Sequence, residues 1–128
     1  MATRIDPVFN NLSPGLVQVN TGILNLDSGG DSTGTFNTAA GTTLIFGGGT
    51  YTLDAGSTLT SSGLVQVTGG TLIVNATVSA TDLGVLNGTL RITSNGMLNV
   101  AGNYDQQTSG GLVIEIGGTM PGAGYGQL

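Results

Sequence analysis

Ser61-Ser62-Gly63-Leu64-Val65-Gln66-Val67-Thr68-Gly69-Gly70-Thr71-Leu72-Ile73-Val74 holds two copies of one short pattern: a glycine, then an apolar-x-apolar pair soon after it. Period-two alternation sends Val65 and Val67 to one face and Gln66 to the other, so each copy reads as a strand of about four or five residues with one buried face. Glycine between the copies supplies the positive φ or tight corner that a sharp bend needs.

The same unit recurs outward in both directions, at Leu24/Leu26, Leu44/Phe46, Tyr51/Leu53, Leu90/Ile92, Leu98/Val100 and Ile114/Ile116. Gly41, Gly49, Gly56, Gly63 and Gly70 lead successive units at steps of seven or eight. The beat breaks between Asn75 and Leu86. A longer echo overlies it: Ser13-Pro14-Gly15-Leu16-Val17-Gln18-Val19-Asn20-Thr21-Gly22-Ile23-Leu24-Asn25-Leu26 matches the opening stretch at eight of 14 positions. From Ser13 to Ser61 the offset is 48.

Two architectures use such units. Hairpins of an antiparallel sandwich favour Asn-Gly or Asp-Gly turns, and only Asn87-Gly88 and Asn95-Gly96 fit. In a parallel β-helix three short strands make a coil of roughly 20–25 residues. Three units of seven or eight give 21–24, and two coils of 24 give the offset of 48. The expectation is an all-β parallel β-helix of about five coils, roughly 25 Å tall at the spacing of paired strands. Stacked Leu, Val and Ile line its interior, and its end coils present open strand edges.

Composition agrees. Of 128 residues 24 are Gly and 19 are Thr, and 7% are charged. Disordered chains carry more charge, while this palette favours strands and turns. Two Arg and a net charge of −5 leave no basic footprint for nucleic acid or anionic membrane surfaces. No apolar run is long enough to span a bilayer. The absence of Cys removes disulfides and thiolate chemistry. Residues 1–128 read as one solenoid segment, with a lead-in over 1–12, coils over 13–102 and a distinctive passage over 103–128.

That passage begins Asn103-Tyr104-Asp105-Gln106 and runs through Gly110-Gly111-Leu112-Val113-Ile114-Glu115-Ile116-Gly117-Gly118 and Pro121-Gly122 to Tyr125-Gly126-Gln127-Leu128. It resembles the recurring C-terminal passage of bacterial autotransporter passengers and haemagglutinin-like adhesins, although Gly126 stands where that family more often has Asp. The resemblance implies a right-handed β-helix, exported and displayed at the cell surface or released. The family's pattern continues beyond its Y-D-Q-L strand. The expectation is therefore a piece of a longer surface protein, which accounts for the lack of an apolar signal-peptide core in Met1–Pro7.

Reactive chemistry is sparse. Without His, Cys or Lys the familiar nucleophile–base arrangements are absent, and the chain is expected not to be an enzyme. Arg91, the x of Leu90-Arg91-Ile92, should point outward. Asp27, Asp31, Asp54, Asp82, Asp105 and Glu115 show no spacing that singles out a glycosidase pair. Asp27 and Asp31, in the Gly-rich Leu26–Gly34 stretch, form a weak calcium candidate that lacks a downstream bidentate Glu. No cofactor is implied. Thr33-x-Thr35, Thr50-x-Thr52 and Thr58-x-Thr60 start at steps of 17 and then eight, which does not match one coil. Phe36, Phe46 and Tyr51 should fill the core, leaving Tyr104 and Tyr125 as surface rings for contact.

The expected function is a structural or adhesive solenoid segment of a secreted or cell-surface protein, able to stack end to end into fibres. The expected partners are other copies through the solenoid ends, or a host or matrix glycan or protein. A glycan- or protein-binding face is the alternative, and a polysaccharide-active enzyme fragment the remote one.

Overall fold

The computed structural model describes residues 2–115. They form fourteen strands and no helix, and every strand pairing is parallel. The strands stack as three walls around one lumen. The first wall holds β2 (Leu16–Val19), β5 (Thr35–Thr38), the leading half of β8 (Thr58–Val67), the leading half of β10 (Thr77–Val85) and β12 (Met97–Val100). The second holds β1 (Ala2–Ile5), β3 (Ile23–Leu26), β6 (Thr43–Phe46), the trailing halves of β8 and β10, and β13 (Tyr104–Gln106). The third holds β4 (Gly30–Ser32), β7 (Thr50–Leu53), β9 (Thr71–Val74), β11 (Thr89–Ile92) and β14 (Gly111–Ile114). This is the expected parallel β-solenoid of about five coils.

The coil lengths differ from expectation. Thr35 pairs with Thr58, a step of 23 along the chain, whereas Val65 pairs with Leu83, a step of only 18. The echo at offset 48 is not two coils of 24. Leu16–Val19 lies on the first wall, against Thr35–Thr38, while Leu64–Val67 lies on the second, against Thr43–Phe46. The copies sit seven wall strands apart, and seven is not a multiple of three. Every wall makes the same demand, inward side chains at the second and fourth strand positions, so one string serves on any wall.

The beat breaks at β10, whose nine residues run unbroken from the first wall into the second, as the ten of β8 do within the regular beat. β8 turns that corner at Ser62-Gly63, β10 at Thr81, with a register shift between Ala80 and Asp82. A Cβ at Gly63 would lie 2.2 Å from the Thr42 carbonyl oxygen, so the bend needs a bare backbone there. The corner into the third wall is tighter still. Gly70 has φ +67°, and a Cβ on it would meet the Gly49 oxygen at 2.0 Å. That same oxygen accepts from Thr71 N at 2.8 Å, so the rung bond and the close approach share one atom.

The lumen is filled in columns. Phe36, Phe46 and Tyr51, expected as core, are all buried, one from each wall of a single coil. Their ring centroids lie 5.1–6.4 Å apart in tilted and edge-on pairs, the arrangement aromatic quadrupoles favour. Leu44, Leu53, Leu59, Leu72, Leu90 and Ile92 continue the columns, each at most 2% exposed. Each contributes about 1.5–3 kcal/mol by leaving water. Buried hydroxyls at the corners find partners on the neighbouring coil. Thr38 Oγ1 bonds Ser61 Oγ at 2.6 Å, and Ser32 Oγ donates to the Asn11 carbonyl at 3.1 Å.

Candidate functional site

The charged residues are few and mostly engaged. Arg4, on β1, pairs with Asp6 and with Asp27 across the first rungs. Asp27 therefore serves a guanidinium. Asp31 stands exposed on β4, with its own backbone N–H donating to Asn10 Oδ1 at 2.9 Å. Among the described residues no three His, Cys, Asp or Glu side chains converge as a metal-ligand group. Arg91 points outward, as its place in the strand predicted, and pairs with Glu115 one coil on, its Nε 3.1 Å from Glu115 Oε2.

Tyr104, expected as a surface ring, follows the inward column of the second wall. It pairs in register with Leu83 and packs half-buried against the core, its hydroxyl donating to Gln106 Oε1 at 3.1 Å. Burial raises its pKa. Tyr104 occupies the apolar slot of a strand whose partner slot holds Gln106. Tyr125 lies outside the described residues. Tyr51 is the other perturbed group, its pKa raised by burial first and by the Asp31 charge second. Its hydroxyl is buried without a hydrogen-bond partner.

The threonine pairs fall on different walls. Thr50 and Thr52 stand on the third, Thr58 and Thr60 on the first, and Thr33 precedes β5, which begins at Thr35. Each outward threonine nonetheless has in-register neighbours. Thr35, Thr58 and Thr77 form one column on the first wall, with Asn37, Thr60 and Ser79 beside it. Thr50, Thr71 and Thr89 form another on the third. Comparing threonines at one-coil offsets, rather than T-x-T strings with each other, would have found these columns.

Turn length then shapes the surface beside the first wall. Between the third wall and the first, the chain spends four residues at Asp54–Ser57, two at Asn75-Ala76 and four at Thr93–Gly96. The short turn is recessed between two longer ones, and a notch of about 490 Å³ opens there. Thr58, Thr60, Thr77 and Ser79 line its floor, and Asn75 and Asn95 line its sides.

Among the described residues the exposed large apolar side chains gather on the outermost rungs. Val8, Leu12, Leu16 and Ile23 lie on the first rungs, and Val113 and Ile114 on the last described strand. A second hollow of about 380 Å³, bounded by Thr3, Gln18, Asn20 and Ile23, lies at the first end. Among the described residues β12, β13 and β14 each pair on one side only. The described residues thus form a solenoid with mostly polar flanks, a notch beside the first wall, and exposed apolar side chains on the first rungs and the last described strand. Comparison with known proteins leaves that description as it stands: no protein-family model, curated protein or solved structure matches the chain.

Proposed function

We propose that this chain is a structural segment of a cell-surface or secreted β-solenoid protein of the adhesin type, and that its copies dock end to end. One observation carries the reading: among the described residues, the large apolar side chains left in solvent lie on the first rungs and the last described strand, not on the coils between them. Open parallel edges template further strands, and a head-to-tail contact of this kind propagates instead of closing. The C-terminal resemblance to exported adhesins supports the location, and the scarcity of trypsin sites, two Arg and no Lys, suits an exposed spacer.

Light scattering and negative-stain imaging of the purified chain over a range of concentrations test the docking. The expected result is rods that lengthen with concentration and shorten in the Val17→Lys variant, which sets a charge in the inward column of β2, a strand paired on one side only. A monodisperse monomer at every concentration would refute it. A binding face is the second reading, and the notch is what favours it.

A further inference from the structure

We infer that the notch beside the first wall is a binding site for a single chain of a neutral sugar. The inference is independent of end-to-end docking, because the notch opens along the flank, on the rungs of β8 and β10, with the coils of β5–β7 and of β12–β14 on either side.

Shape comes first. A hollow of about 490 Å³ lies within the range of small-ligand sites. The Asp54–Ser57 and Thr93–Gly96 turns stand on either side of recessed Asn75-Ala76. A flat lattice, whether ordered water or a polymer crystal, would meet those turns before it reached the floor. One flexible chain fits between them.

The lining then selects the chemistry. Its side chains offer the hydroxyls of Thr58, Thr60, Thr77 and Ser79 and the amides of Asn75 and Asn95. Each of these groups can both donate and accept, which matches a ligand made of hydroxyls. No cation lines the notch: Arg4 is paired on β1 and Arg91 is paired on the third wall. A carboxylated or sulfated sugar would find no counter-charge. No aromatic or large apolar side chain lines it either, so the anchors of a protein partner are missing. The same lack makes single-site affinity weak.

The groups are also held in place. Thr58 pairs with Thr77, and Thr60 with Ser79, in adjacent rungs, so the hydroxyls form a regular grid on rigid strands. Threonine's branched Cβ restricts χ1. Asn75 Oδ1 accepts from Thr93 Oγ1 at 2.7 Å, which orients the amide and leaves its Nδ2 to donate to a ligand. Little ordering remains to be done on binding.

The test is an amide-shift titration of the isotope-labelled whole chain with cellohexaose, laminarihexaose or mannohexaose, and with trigalacturonate as the anionic arm. A neutral probe should move Thr58, Thr60, Ala76, Thr77 and Ser79 together and saturate in the millimolar range, while trigalacturonate should not. The Thr60→Val, Thr77→Val double variant keeps shape and strand preference and removes two hydroxyls. It should bind about fivefold or more weakly, the loss of two neutral hydrogen bonds, with an unchanged unfolding midpoint as the control on folding. The inference is overturned if no neutral probe moves these resonances, if the double variant binds as well as the parent, or if trigalacturonate binds as tightly. Rods without sugar binding would sink this site and leave the docking reading intact.

Discussion

Gly70→Ala isolates what the corner into the third wall costs to build. Gly70 has φ +67°, and a left-handed backbone costs a residue with a Cβ about 1–2 kcal/mol. The new methyl would also lie 2.0 Å from the Gly49 oxygen and 2.8 Å from Gly49 N and Gly48 C. All three are backbone atoms, so no side chain can swing aside. Relief requires parting the coils, which lengthens the Thr71 N to Gly49 O bond of 2.8 Å and the Thr68 N to Phe46 O bond of 3.0 Å. At about 0.5–1.5 kcal/mol net for each bond, the total comes to roughly 3 kcal/mol. Gly41→Ala is the comparison: φ is +80° but nothing lies within 4 Å of the Cβ position. It should lose only the backbone term, partly offset by a stiffer unfolded chain, for about 1 kcal/mol. Gly84→Ala, with ordinary φ and its nearest atom at 3.6 Å, should be neutral or stabilise by about 0.5 kcal/mol. Guanidinium unfolding of the three variants, followed by far-ultraviolet circular dichroism, gives the order. If Gly70→Ala lowers the midpoint no more than Gly41→Ala does, close coil-to-coil approach is not what that glycine is for.

Other perturbations test the packing and the charges. Leu59→Ala empties a fully buried lumen position and should cost about 2–5 kcal/mol, while Thr60→Ala next to it faces solvent and should stay within about 0.5 kcal/mol of the parent; chemical denaturation separates them. Tyr51→Phe removes a buried hydroxyl that has no partner and should be neutral or stabilising by about 1 kcal/mol. The same residue contributes to the alkaline limb of stability. Its folded pKa is raised by burial and by Asp31, so the stability it confers is complete below the unfolded value of about 10 and declines as pH rises above it. A pH series of unfolding midpoints should show that decline blunted in Tyr51→Phe. Arg91→Gln breaks an ion pair whose Arg side chain is 47% exposed, and the change should be under about 1 kcal/mol and vanish in high salt.

The solenoid was legible because its signal is local. Alternation in Leu72-Ile73-Val74 and Leu90-Arg91-Ile92 says which side chains turn inward wherever the strand is placed, and glycine marks a corner by what its own backbone allows. The outward Arg91 and the buried Phe36, Phe46 and Tyr51 follow from that alternation alone. The stacking register did not follow, since it depends on how much chain each turn consumes, and a strand pattern is silent on that. Two residues at Asn75-Ala76 against four at Asp54–Ser57 show how unequal the turns are. Such differences decide which wall receives each unit, and so why the echo from Ser13 to Ser61 joins two different walls.

Nonlocal stacking also decided the features on which function rests. It brought the three rings into one coil, and it joined Arg4 to Asp27 and Arg91 to Glu115 from neighbouring coils. It turned Tyr104 inward beneath Leu83, and it set Thr58 and Thr60 beside Thr77 and Ser79 under two flanking turns. By itself the sequence determined an all-β chain of short one-sided strands with glycine corners, since each of those properties is settled within a few bonds. The tertiary structure alone decided which strands lie next to one another, because that adjacency is set by summed turn lengths and by the coil already in place.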